Sequence, residues 1–366
     1  DVDDDTLTTI ALDLHNSTRG NLTVKGNDPV AAIVAKYGAA EDGYRRWINE
    51  DPAIRTSVAI ANDVESFAAA HDGVDIEILA EPELEKHGLN LLLAVGGASI
   101  DSPPRLVIAT WTPKANPDAP RTMLLGKGIT FDTGGINVKP YVSHVSQMKN
   151  DMGGAALAWW LFRTLVESNY NEPLMVVIPT CENAIGEKAM RPGALIKSHR
   201  GKVVRVDHTD AEGRLALADG LSYAGDKYAP ARVISFATLT TSALTSYGPY
   251  ATPIHFATPS QQSSFEEASE QMGEDLHFFP YRRWHFEANR DQEADLRNTA
   301  RLPGSASRAA GSRNAAHFLK HFTDLQITHF DIFASTWNWA GDAPGCGYGA
   351  TGTPLRTLLR AFNVAG

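Results

Sequence analysis

From about residue 90 the chain repeats one rhythm: a short apolar run with β-branched residues, a glycine-rich or polar turn, then an apolar stretch of helical length. The runs predict strands over 91–95, 105–111, 122–125, 174–179, 232–237 and 328–334. The longer stretches predict helices over 154–166, 214–223, 264–272, 309–322 and 354–362. Several of the strands are apolar at almost every position, as strands covered on both faces by helices must be. The expected fold class is therefore α/β, a central and mostly parallel sheet sandwiched by helices. Residues 28–70 read instead as helical and polar, so 1–80 is expected to be an N-terminal remnant or cap and 81–366 the functional domain.

Composition narrows the chemistry. The 366 residues carry a formal net charge of −10 and are 43% hydrophobic, so a substantial core is available and a nucleic-acid or anionic-membrane partner is disfavoured. Two cysteines, Cys181 and Cys346, make neither a disulfide framework nor a thiolate metal site, which predicts a reducing, cytoplasmic setting. No apolar run approaches the roughly 18 residues that span a bilayer. The opening Asp1-Val2-Asp3-Asp4-Asp5 lacks an initiating Met, so processing or a missing upstream segment is expected. Glycosylation patterns at Asn16 and Asn21 are short enough to arise by chance.

The candidate chemistry lies in three glycine-rich blocks: residues 126–139, 149–154 and 209–215. They hold Asp132, Asp151, Asp210 and Glu212, which would repel one another in one pocket unless strong positive charge sat among them. Carboxylates are the ligands of hard divalent cations, and two such ions would supply that charge. Only Ala211 separates Asp210 from Glu212, so in an extended segment both project from the same side and can hold neighbouring ions. Gly134, Gly135, Gly153, Gly154 and Gly213 let the backbone come close. Asp151 just precedes a predicted helix, whose start would keep it ionised. Lys127 and Lys139 either coordinate as neutral amines or act as cations that polarise a carbonyl. Arg214 cannot lose its proton and is suited to holding an anion. A phosphate loop is excluded, because Lys127 is followed by Gly128 and the upstream glycine spacing is missing.

These blocks, Gly126-Lys-Gly-Ile-Thr-Phe-Asp-Thr-Gly-Gly135, Met148-Lys-Asn-Asp-Met-Gly-Gly-Ala-Ala156 and Thr209-Asp-Ala-Glu-Gly-Arg-Leu215, resemble the leucyl aminopeptidase (M17) family, and within it the peptidase B type. The resemblance runs from about Leu79 to the C-terminus and includes 91–96, 237–240, 295–298 and 350–356. It implies a metal-dependent aminopeptidase that removes the N-terminal residue of short peptides through a water activated by two divalent ions, Zn or Mn, with Mg also compatible. One ion would take Lys127, Asp132, Asp151 and Glu212, the other Asp132, Asp210 and Glu212. Lys139 would polarise the peptide carbonyl, and Arg214 would hold a bicarbonate cradled by backbone around Ala211, Gly213 and Leu239. Met148 and Thr238 would line the pocket for the first side chain. A cytoplasmic homohexamer is implied as well. The competing reading is a non-catalytic or DNA-binding regulatory member of the same fold.

The chain departs from the family pattern at two positions. His208 stands where Asn is usual, which reads as a structural replacement, and Thr241 stands where Gly is usual. His277, His285, His317, His321 and His329 show no ligand spacing and are expected to be core or surface residues. The aromatic and basic stretch 278–284 reads as packing or a subunit contact. Trp337, Trp339 and Tyr348 are candidates for core or pocket rim.

Overall fold

A computed structural model describes residues 3–17, 22, 24–25, 27–301, 310–339, 341 and 346–364. Twelve strands run in chain order: β1 Val74–Leu79, β2 Arg105–Trp111, β3 Thr122–Gly126, β4 Gly128–Asp132, β5 Leu174–Asn183, β6 Leu195–Lys197, β7 Val203–Arg205, β8 Arg232–Ala237, β9 Thr252–His255, β10 Leu276–Phe279, β11 Leu296–Arg297 and β12 Gln326–Asp331. The helices are α1 Asp4–Ser17, α2 Asp28–Asn49, α3 Ser57–Ala70, α4 Glu81–Lys86, α5 Asn90–Gly96, α6 Gly153–Glu167, α7 Gly213–Tyr228, α8 Thr241–Tyr247, α9 Pro259–Met272, α10 Arg283–Glu287, α11 Gly311–Leu319 and α12 Leu355–Ala361.

Nine strands form the main sheet in the order β1-β2-β5-β3-β8-β12-β9-β10, with β4 continuing alongside β5. Its centre, β5-β3-β8-β12, is parallel, while β1-β2, β2-β5 and β12-β9 are antiparallel. Side chains alternate between two cores. On β5, Leu174, Val176 and Ile178 face the layer containing α6, and Met175 and Val177 face the layer containing α7. The same period of two divides β2 and β8, which is why these runs are apolar at nearly every position. A three-stranded sheet, β11-β7-β6, stands apart.

Helix α6 lies hard against the sheet. A Cβ on Gly154 would come within 2.2 Å of the Phe236 carbonyl oxygen, so only glycine permits this approach. On its outer side, Trp159 meets Phe67 of α3 edge to face at 5.2 Å. Residues of α1–α3, including Leu12, Tyr37, Trp47 and Ile60, thus share one core with Trp159 and Leu358, and β1 extends the sheet edge.

The predicted strand at 91–95 is helix α5. Leu91, Leu92 and Val95 are buried but Leu93 and Ala94 only partly so, a helical spacing that a five-residue apolar run does not reveal. Buried Asp219 of α7 decides the outcome: its carboxylate accepts the N–H groups of Leu91 (2.7 Å), Leu92 (3.2 Å) and His199 (2.9 Å), capping α5 from outside the segment. β4 was hidden in the glycine-rich first block, and Ala309 of the predicted 309–322 helix lies outside the described residues. Asn16 is buried and bonded to Glu41 and Arg45, leaving no room for a glycan, while Thr18, Asn21 and Thr23 lie outside the described residues. No helix among the described residues is long and apolar enough to cross a membrane.

Asp219→Ala would strand two buried donors and the half-buried His199 N–H, so denaturant titration should show a loss of about 3 kcal/mol. Asp219→Asn retains one acceptor oxygen and should lose about 1–2 kcal/mol.

Candidate metal centre

The three blocks converge at the carboxyl ends of the central parallel strands, where open α/β sheets place their ligands. Lys127 links β3 to β4, Asp132 ends β4, Thr238 and Leu239 follow β8, and Asp331 ends β12. Asp151 comes from the 3₁₀ turn Val145–Met152 that leads into α6. Asp210 and Glu212 come from the turn between β7 and α7.

Lys127 is buried, and its Nζ lies 2.8 Å from both oxygens of Asp151, 2.9 Å from Glu212 Oε1 and 2.9 Å from the Thr238 carbonyl. Lys139 pairs with Asp132 Oδ2 at 2.7 Å and with Asp210. Ligand oxygens of Asp132, Asp210 and Glu212 lie within 4.8 Å of one another. Thr238 Oγ1 donates to Asp151 Oδ1 at 3.0 Å.

Four acids thus face two ammonium groups, and the deficit registers in the acids. Burial would lift Asp132, but Lys139 and Lys127 hold it below the usual range. Burial, aided by Glu212 and Asp132, drives Asp151 well above the usual range despite Lys127. Burial and Asp132 push Asp210 up to about 7 against the pull of Lys139. Both lysines, whose burial alone would lower them, are raised by the surrounding carboxylates. The helix start is not what faces Asp151: its carboxylate turns to Lys127 and Thr238 rather than to the free N–H groups of α6. Glu212 Oε2 is buried and accepts no hydrogen bond among the described residues. An acid cluster short of positive charge, with an orphaned carboxylate oxygen, fits a divalent cation.

These side chains line a cavity of about 450 Å³, together with Arg214, Met148, Ala211, Thr238, Leu239, His208 and Thr241. Arg214 is buried; burial pulls its guanidinium down to about 10, still charged at neutral pH, with Glu212 and Asp331 opposing. The Leu239 N–H is taken by Asp331 Oδ1 at 3.2 Å. Gly213 lies behind Lys127, where a Cβ would stand 2.3 Å from Lys127 Cε. The five histidines lie outside the lining: His317 and His329 are fully buried, His285 and His321 nearly so, and His277 is half-exposed. Phe278 and Phe279 belong to β10, while Arg283 and Trp284 are exposed. Trp337 is core, Trp339 stacks at 5.0 Å on Phe333 of the cavity wall, and Tyr348 is exposed.

Residues 43–359 match the model of the cytosol aminopeptidase family, catalytic domain. The chain belongs to this family. A probable cytosol aminopeptidase of Picosynechococcus sp. is 34% identical over 316 residues, 86% of this chain and 62% of the relative, so the chain spans under two thirds of that relative's length. The crystal structure of cytosol aminopeptidase from Coxiella burnetii superposes with a TM-score of 0.85 at 29% identity, covering 99% of this chain and 78% of that one. The bottromycin maturation enzyme BotP in complex with Mn gives a TM-score of 0.83 at 28% identity, covering 93% of this chain and 72% of that one.

Against the cytosol aminopeptidase pattern, the His208 departure has a physical explanation. Its Nδ1 accepts the Asp210 N–H at 3.2 Å, the bond to the second residue onward that an Asn side chain makes in an Asx turn. Thr241 opens α8 at the cavity wall. Two asparagines outside the expected site residues support the acids: Asn183 Nδ2 donates to Asp132 Oδ1 at 2.8 Å, and Asn298 Nδ2 donates to the His208 and Ala211 carbonyls. Asp331 joins the cavity edge because β12 ends there, three residues before the end of the predicted 328–334 strand.

Two outcomes follow from the geometry. Gly213→Ala should displace Lys127 and weaken metal binding by at least tenfold, read by equilibrium dialysis. Because a ligand must be deprotonated to bind, an Asp210 that titrates near 7 should make the apparent Mn affinity about tenfold weaker at pH 6 than at pH 8. Equal affinity at the two pH values would contradict that assignment.

Proposed function

We propose that this protein is a two-metal aminopeptidase acting on short peptides in the cytoplasm. The observation that carries the reading is the meeting of Asp132, Asp151, Asp210 and Glu212 with Lys127, Lys139 and Arg214 in one cavity. Asp132, Asp210 and Glu212 would hold one ion, and Lys127, Asp132, Asp151 and Glu212 the other, with Zn, Mn or Mg all compatible with oxygen donors. Lys127 coordinates only as the neutral amine, so it must give up a proton that its present partners hold in place. Bound there, a pair of divalent ions supplies Lewis acidity and a nucleophilic water at neutral pH.

The residues of the chain provide the rest. The acidic end of the cavity, with Asp151 nearby, would receive the substrate's free α-ammonium group, which would limit cleavage to the N-terminal residue. Met148 and Thr238 line the cavity and would form the wall beside the substrate's first side chain. Lys139 is poised to donate to the scissile carbonyl oxygen and stabilise the negative charge that develops on it. Arg214, which lines the cavity, would hold a small anion such as bicarbonate, and that anion would receive the proton of the attacking water. The cytoplasmic setting draws support from the name of the relatives, and assembly as a homohexamer from family likeness alone.

The test is hydrolysis of a panel of aminoacyl chromogenic amides with Mn or Zn added. Wild-type protein should turn over, Lys139→Ala should lower kcat by about 10²–10³, and Asp210→Ala should remove the metal-dependent activity. If wild type and both variants are equally inert with every metal, the non-catalytic reading replaces this one. A gel shift at physiological salt tests the DNA-binding alternative.

A further inference from the structure

Asp132 and Asp210 reach the cavity from different sheets. Asp132 ends a strand of the main sheet, whereas Asp210 follows β7 of the small one. Among the described residues no strand pairing joins the two segments beside the cavity. They are joined instead by Asn137 and Thr209. The Asn137 N–H donates to Thr209 Oγ1 at 2.8 Å, and the Thr209 N–H donates back to Asn137 Oδ1 at 2.9 Å. Thr209 Oγ1 also donates to the Gly134 carbonyl at 2.6 Å, and Asn183 Nδ2 bridges Asp132 Oδ1 and the Thr209 carbonyl at 2.8 and 3.2 Å. Thr209 is fully buried; Asn137 is only partly covered and lines the cavity.

We propose that Asn137 and Thr209 form a clasp that sets the position of Asp210 relative to Asp132, and thereby governs occupancy of the ion site that includes Asp210. The inference rests on the two-ion reading above. Both residues are positioning residues: neither offers its side chain to an ion, and each acts through the segment it holds. The clasp lies between the residue before Asp210 and the residue two before Lys139, so loosening it moves both partners of the Lys139–Asp210 pair. Lys127, Asp151 and Thr238 are bonded to one another on the other side of the cavity and do not depend on it. The two sites should therefore respond unequally.

Equilibrium dialysis with Mn, on the whole 366-residue chain checked by near-UV circular dichroism, tests this without reference to activity. Wild type should bind two ions per chain. Asn137→Ala and Thr209→Val should keep one ion at near wild-type affinity and bind the second at least tenfold more weakly, since outer partners of metal ligands are worth that much. Thr209→Ser, which keeps the hydroxyl, should stay within about twofold of wild type. Two ions bound by both Asn137→Ala and Thr209→Val with unchanged affinity, or equal weakening of both ions in folded variants, overturns the clasp. Fewer than two ions on wild type overturns the two-ion reading itself. Should Thr209→Val fail to fold, Asn137→Ala at the partly exposed end of the clasp decides.

Discussion

Everything at the candidate centre depends on one electrostatic constraint: four carboxylates brought into a small, largely buried volume must meet enough positive charge. Lys127 and Lys139 meet part of it, each between two acids. The remainder shows as an Asp210 that titrates near neutrality, an Asp151 lifted well above its ordinary range, and a Glu212 oxygen with no hydrogen-bond partner among the described residues. Burial sharpens both sides of this balance, because charges attract and repel more strongly away from water. A centre built this way is poised for added cations and costly without them, which is the condition a metal-dependent site must satisfy.

The fold meets the constraint by geometry rather than by local sequence. Parallel strands β3, β5, β8 and β12 end on one edge, so loops far apart in the chain open into a single cavity. Close approach of α6 to the sheet, through Gly154, brings Asp151 within reach of Lys127. The small sheet delivers Asp210 and Glu212 from the opposite side. Asparagine side chains make the joins, because an amide both donates and accepts and can bond two backbone segments at once. Asn183 and Asn298 each touch the Asp210 segment in this manner.

Much of the fold was legible in the chain. Strands β2, β3, β5, β8 and β12 announce themselves as apolar runs, since each is covered on both faces. Segment 91–95 misled because its five apolar residues suit either conformation, and the deciding hydrogen bonds come from Asp219, over 120 residues away. β4 was obscured by its glycines, and β6, β7 and β11 are too short to signal. In the centre, the acids, the lysines and Arg214 were visible because charge beside glycine is unusual in a buried setting. Asn137 and Asn183 were not, since an isolated asparagine carries no periodicity and its partners lie 72 and 51 residues away.

Periodicity and residue type are local properties, and from them alone came the class of the fold, the family, and the inventory of charged groups from which a centre can be made. Long-range packing settled which acid each lysine holds, that Asp151 turns from the start of α6 to Lys127, and that His208 takes over the turn bond of an asparagine. Those outcomes depend on distances of a few ångströms between segments remote in sequence, and on the loss of water around them, neither of which any stretch of chain contains alone.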